Sequence, residues 1–135
     1  MDFIQQNIIS ILIAALVLWM LWRRVIAPVL SGVKRISAVE YMNFRNEAHT
    51  LVDVRTNGEW NSGHAPKALH IPLSELDQRQ GEIARNKPVV VVCASGNRSA
   101  VAATSLARSG HESVYNFSGG MGSWKSAGLP VKSGS

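Results

Sequence analysis

Residues 89–99 read VVVVCASGNRS. Four valines in a row, with no alternation of polar residues, are the pattern of a strand buried on both faces at the centre of a parallel sheet. The run ends at Cys93 and a short polar loop follows. A helical pattern then runs from Arg98 to Ser109, with Ala102, Ala103 and Leu106 on one face and Gly110 placed to end it. In open α/β sheets ligands gather beyond the carboxyl ends of the strands, so Cys93 stands where chemistry is expected.

The flanking sequence repeats the alternation of strand and helix. Upstream, Ser37-Ala38-Val39-Glu40 has capping-box spacing with Ile36 and Tyr41 placed as a hydrophobic staple, which predicts a helix from Ala38 to about Asn46. Thr50 to Val54 reads as a strand, residues 57–62 as one or two helical turns before Gly63, and Ala68 to Ile71 as a short strand stopped by Pro72. Residues 74–85 look helical with a break at Gly81. Downstream, Ser113 to Phe117 is a further strand, followed by a Gly119-Gly120 turn and a short helix around Ser123 to Ser126. The pattern predicts an α/β domain with a central, mainly parallel sheet flanked by helices.

A different segment precedes it. Ile8 to Trp22, IISILIAALVLWMLW, carries no charge, and none appears back to Ile4. With Trp19 and Trp22 as interfacial aromatics, and Val25 to Leu30 extending the apolar stretch past Arg23 and Arg24, this predicts one transmembrane helix anchoring the chain through residues 4–26. A cleaved signal peptide would need basic residues before the run and a small-residue site after it, whereas Asp2 precedes it and Trp, Arg and Arg follow. A buried core helix remains the other reading of so short a run. The basic residues lie on the C-terminal side, so the positive-inside bias places the following domain in the cytoplasm, on the inner (cytoplasmic) membrane. The expected organisation is an anchor over 1–26, a juxtamembrane linker over 27–36 interrupted by Pro28 and Gly32, a domain over 37–132 and a polar tail over 133–135.

Charge and composition exclude several classes. The net charge of +5 rests partly on Arg23, Arg24, Lys34 and Arg35, which crowd behind the apolar run, leaving the rest only mildly basic. No basic helix or aromatic platform suggests a nucleic-acid partner. Cys93 is the only cysteine, so no intramolecular disulfide or multi-thiolate metal site is possible within one chain. His49, His64, His70 and His111 lack zinc-site spacing and read as surface or hydrogen-bonded structural residues. Neither a metal nor a cofactor is expected.

Around Cys93, the backbone N–H groups of Ala94, Ser95, Gly96, Asn97, Arg98 and Ser99 can form an anion cradle, with Gly96 permitting the turn and the next helix adding its positive end. That field favours thiolate over thiol. The bland alternative makes Cys93 a small apolar residue closing a core strand and Arg98 a solvated helix residue.

These residues carry a resemblance. LVDVRTNGEWNSGHAPKALHIPL (51–73), VVVVCASGNRS (89–99) and YNFSGGMGSWKSAGLPV (115–131), in this order and spacing, resemble the Asp-x-Arg, Gly-His-Ile-Pro-Gly-Ala, active-site-loop and Gly-Gly/Trp/Gly-x-Pro-Val segments of single-domain rhodaneses. The resemblance runs from about Ser37 to Lys132. It implies a rhodanese-like fold and a sulfurtransferase that moves sulfane sulfur from a small anionic donor, such as thiosulfate or a persulfide, to a thiol or cyanide acceptor. Cys93 would carry the sulfur as a persulfide, Ala94 to Arg98 would hold the persulfide and the donor, and Arg98 would supply the cationic contact. Asp53 would have a framework role and Arg55 a framework or substrate role, with a strand-end salt bridge as the plain reading of both. Gly63, His64, Gly119, Gly120 and Trp124 would be structural. Two departures stand out: Ala94 where many thiosulfate-using members have a second basic residue, and Lys67 and His70 in the motif of the second strand. The rivals are a membrane-tethered binding module with little turnover, and a phosphatase or arsenate reductase on the same fold. Only four residues separate Cys93 from Arg98, against five in the related phosphatases. A membrane-protein partner would be compatible with the anchor.

Overall fold

The computed structural model describes residues 2–23 and 32–134. Helix α1 (Asp2–Leu21) is followed, beyond residues outside the described part, by β1 (Lys34–Ile36), α2 (Ala38–Phe44), β2 (Thr50–Asp53), α3 (Asn57–Ser62) and β3 (Leu69–His70). A chain of short 3-10 turns around α4 (Leu76–Arg79) leads to β4 (Val89–Val92), α5 (Asn97–Arg108), β5 (Val114–Phe117) and α6 (Gly120–Ser126).

The five strands form one sheet in the order β1-β5-β4-β2-β3, and every pairing between them is parallel. β4 lies in the middle, and all four of its valines are fully buried. Val89, Val91 and Cys93 join Val52, Val54, Ala102, Ala103 and Leu106 in a core on one face. Val90 and Val92 join Tyr41, Phe117, Met121 and Trp124 on the other. Two covered faces are why this strand has no polar alternation, and burying each valine contributes on the order of 1.5–3 kcal/mol.

Local signals fix the element starts. Ser37 and Glu40 form the expected reciprocal capping box, each side chain accepting from the other's backbone N–H at 3.1–3.2 Å, and the staple residues Ile36 and Tyr41 are both buried in one core. Most predicted elements are present within one or two residues. The departures are informative. Lys34–Ile36, expected within the linker, pairs with β5 as an edge strand. Its KRI sequence has only one buried position, too little apolar pattern to announce a strand. The helical stretch expected over 74–85 with a break at Gly81 is a succession of short 3-10 and α turns over 73–82, and the last helix begins three residues earlier than predicted, at Gly120.

The expected spanning helix needs correction. Among the described residues no helix is long and apolar enough to cross a membrane. Within α1 the first turns carry Gln5, Gln6 and Asn7, leaving an apolar run from Ile8 to Leu21 of about 21 Å along the axis, short of about 30 Å of bilayer core. The extension through 24–26, and most of the predicted linker, lies outside the described residues. The apolar side chains of α1 are nonetheless exposed, Leu12, Leu18 and Trp19 each by more than half, so α1 does not serve as a core helix of the domain.

Candidate functional site

The carboxyl end of β4 delivers Cys93 into a loop that folds back on its own sulfur. Gly96, at φ 102°, turns the chain so that its N–H donates to Cys93 Sγ at 3.0 Å. Ser99, in the first turn of α5, lies beneath the sulfur with its Oγ 3.3 Å away. Ser99 Oγ donates to Asn116 Oδ1 at 2.5 Å, and Asn116 Nδ2 donates to the Gly96 carbonyl at 3.3 Å. Cys93, Ser99, Asn116 and Gly96 thus close a ring of hydrogen bonds, in which Cys93, Ser99 and Asn116 are buried. Burial pushes the Cys93 thiol up; hydrogen bonding with the Ser99 side chain and from the amides of Ser99, Gly96 and Ser95 outweighs it, so the pKa settles below its ordinary value. Cys93 has no exposed surface, while Ala94, Ser95 and Asn97 around it are exposed.

A second turn braces the loop from behind. Met121 N–H donates to the Cys93 carbonyl at 2.8 Å. This close approach depends on Gly120, at φ 58°, where a Cβ would overlap the backbone of Cys93 and Ala94. The Gly-Gly pair predicted as a turn therefore also positions the Cys93 backbone.

Asp53 and Arg55 form a buried two-point ion pair. Arg55 Nε donates to both Asp53 oxygens at 3.0 Å and an Arg55 terminal nitrogen to Oδ2 at 2.8 Å; the same nitrogen reaches the Gly63 carbonyl at 2.7 Å. Asp53 is fully buried and Arg55 4% exposed. Of the two roles open to Arg55, this geometry is that of the framework: its guanidinium ties β2 to the end of α3. Trp60 stacks between His64 and His70, with ring centroids 3.6 and 4.5 Å away. His64 Nδ1 bonds the Trp60 carbonyl and His70 Nε2 the Arg55 carbonyl, so both histidines are hydrogen-bonded structural groups.

Arg98, expected to supply the cationic contact for the donor, is paired with an acidic side chain. Its two terminal nitrogens donate to the two oxygens of Glu59 at 2.7 and 2.8 Å. The Arg98 hydrogen bond is the main reason that the Glu59 carboxyl falls to about 2. Glu59 is also the third residue of a capping box with Thr56 at the start of α3. The Thr-x-x-Glu spacing was present in the sequence as a cap signal; its reach to Arg98, 39 positions on, was not. Nor did any local signal mark Asn116, which alternation in β5 turns toward Ser99. Among the described residues no cluster of three His, Cys, Asp or Glu is placed to hold a metal.

Residues 37–127 match the family model of the rhodanese-like domain. The chain belongs to the rhodanese family. Its rhodanese-like domain is similar to the crystal structure of a rhodanese-related protein from Thermoplasma volcanium, with a TM-score of 0.68 and 35% identity over 73% of this chain and 97% of that one. A rhodanese-like domain protein from Staphylococcus aureus is 34% identical with a TM-score of 0.66, over 74% of this chain and 99% of that one. Among curated proteins, a sulfurtransferase of Allochromatium vinosum is 40% identical over 60% of this chain and 76% of its own length. The uncharacterized protein YqhL of Bacillus subtilis is 43% identical over 55% of this chain, which spans 59% of that relative's length.

Proposed function

We propose that this rhodanese is a sulfurtransferase that takes sulfane sulfur onto Cys93 and passes it as a persulfide to a thiophilic acceptor such as a thiol or cyanide. The observation that carries the reading is the set of loop amides, of Ser95, Gly96 and Ser99, that hydrogen-bond Cys93 Sγ, with the Gly96 N–H at 3.0 Å. They lower the cost of a sulfur anion at a buried position, first as thiolate and then as persulfide. The name of the Allochromatium vinosum relative supports the same chemistry.

In the first half-reaction the Cys93 thiolate attacks the outer sulfur of the donor. A new S–S bond forms, the donor's own S–S or S–S(sulfonate) bond breaks, and its electron pair leaves on a thiolate or on sulfite. In the second, the acceptor attacks the terminal sulfur and Cys93 returns as thiolate. No external oxidant or reductant enters. The test is whole-protein mass after incubation with a small persulfide or thiosulfate. The expected result is a gain of about 32 Da on Cys93, reversed by cyanide and absent in Cys93→Ser, whose hydroxyl cannot form a persulfide. A protein that gains no sulfur yet binds a partner would be a tethered binding module, and Cys93-dependent hydrolysis of an aryl phosphate would make it a phosphatase.

The second half of the proposal concerns location. We infer that α1 associates with the inner membrane through its apolar side chains, leaving the catalytic domain in the cytoplasm. A helix exposing Ile8, Ile9, Leu12, Ile13, Leu16, Leu18 and Trp19 to water has no stable soluble setting unless something apolar covers it. Arg23 lies over the Trp19 ring at 4.9 Å, an arrangement suited to the membrane interface.

A further inference from the structure

The residue best placed to choose the sulfur donor is one the reaction itself does not use. Arg98 is the only basic residue within the segment 93–99, because Ala94 follows the cysteine, and both ends of its guanidinium fork are occupied by Glu59. The pair is partly exposed, with side chains 36% and 35% accessible, and so lies at the rim of the site rather than inside the fold. Glu59 is held for this contact from its other side: Oε1 also accepts from the Thr56 N–H at 3.1 Å and the Thr56 hydroxyl at 3.0 Å. A carboxylate fixed by its own helix cap does not swing aside at no cost when an anion arrives.

We propose that Glu59 is a specificity-determining residue, which by occupying Arg98 disfavours dianionic thiosulfate and directs Cys93 toward donors of low charge, namely persulfides of small thiols or of protein cysteines. The inference rests on the sulfurtransferase reading above. Its physical basis is a difference between donors. Thiosulfate brings two negative charges and, to reach Cys93, must displace a carboxylate from Arg98 or bind beside an ion pair of zero net charge. A persulfide brings at most one charge, and the amides around Sγ can stabilise that charge without help from a guanidinium. In both cases the Cys93 thiolate bonds to the sulfane sulfur; sulfite leaves from thiosulfate, and a thiolate leaves from a persulfide and takes up the sulfane sulfur's proton. Another cation, Arg35, is bonded to the Ser118 hydroxyl at 3.4 Å and lines a groove of about 370 Å³ with Ser95, Gly96 and Asn97. It is the alternative anion contact that the experiment has to separate.

The experiment measures sulfur transfer to cyanide by the full chain in detergent, with thiosulfate and with cysteine persulfide as donors. Glu59→Gln removes the charge, and Gln serves at the third position of a capping box, so the variant keeps the start of α3. The wild-type protein should show a higher kcat/KM with the persulfide. Glu59→Gln should lower KM for thiosulfate about 3- to 30-fold, the range of one released charge contact, with kcat nearly unchanged and the persulfide values moving less than about threefold. Adding Arg98→Ala to Glu59→Gln should erase the gain. The proposal is overturned if Glu59→Gln leaves the thiosulfate KM where it was or raises it. It is also overturned if the gain survives loss of Arg98, or if Arg35→Ala alone abolishes thiosulfate use. Wild-type protein using thiosulfate as efficiently as the persulfide overturns it whatever the variants do. If both donors load Cys93 and Glu59 has no effect, only this inference fails; if neither donor loads Cys93, the sulfurtransferase reading fails and takes this one with it.

Discussion

Replacing Arg55 by Met tests whether the buried pair at the end of β2 is framework or substrate contact. In the wild-type protein the fully buried Asp53 carboxylate accepts three side-chain hydrogen bonds from Arg55, and its only other donor among the described residues is the Arg55 backbone N–H at 3.0 Å. Arg55→Met keeps the volume and the backbone bond but leaves a buried carboxylate facing a thioether, and loses the contact to the Gly63 carbonyl. Breaking a buried pair in this way typically costs about 3–5 kcal/mol, a large share of a domain stability of about 5–15 kcal/mol. In urea, with a slope of about 1–3 kcal/mol per molar, the unfolding midpoint of residues 32–135 should fall by more than about 1 M. Asp53→Asn combined with Arg55→Met removes both charges and should recover part of that loss, so the two changes will be far from additive. Where the single variant is still folded, Cys93 should accept sulfur with an unchanged donor KM. A loss below about 1 kcal/mol with a raised donor KM would refute the framework argument and assign Arg55 to substrate.

Two further expectations are independent of that pair. The rate of Cys93 alkylation by iodoacetamide should rise with pH to a plateau whose midpoint lies below 9.0, the ordinary value from which burial and the opposing hydrogen bonds displace it. Because the folded pKa is depressed, the unfolded chain binds the extra proton between the two pKa values. The resulting stability is complete above 9.0 and is lost as pH falls through the folded pKa, and Cys93→Ser should flatten that rise. Deleting Met1 to Ser31 leaves β1 and every later element intact, so the product should be soluble and should still accept sulfur, while the full chain sediments with membranes; an unfolded product would place α1 in the core of the domain.

What could be read in the sequence was what local patterns encode. The run of valines announced a strand covered on both faces because burial removes the need for polar alternation, and Ser37 and Glu40 announced a helix start because a capping box is a matter of spacing. Cys93 and its loop were legible for the same reason: a cysteine, a glycine and a helix start follow one another within a few residues. The missed features join distant segments. Glu59 meets Arg98 and Asn116 meets Ser99 only after the sheet has brought β2, β4 and β5 side by side. β1 was missed because a three-residue edge strand with two exposed side chains takes its place from pairing with β5, not from a pattern of its own. Arg98 was assigned correctly to the end of the loop, but the charge that occupies it lay on another element.

The aim of the loop's donors also separates the two chemistries that this fold can host. A tetrahedral oxyanion bound for attack would place its central atom about 3–3.5 Å from the sulfur, with the loop amides directed at its oxygens. Here the Gly96 amide is directed at Sγ itself at 3.0 Å, and the ring through Ser99 and Asn116 closes around that single atom. The Asn116 contact to the Gly96 carbonyl closes this cradle, and a Cβ at Gly96 would meet the Gly119 backbone at 3.4 Å. A persulfide asks for less. It extends the side chain by one S–S bond of about 2.05 Å, next to the exposed Ala94 and Ser95, while the Met121 N–H holds the Cys93 carbonyl in place. The four-residue spacing between Cys93 and Arg98 keeps the Gly96 amide trained on sulfur, and this geometry favours the proposed sulfur transfer over phosphoryl chemistry.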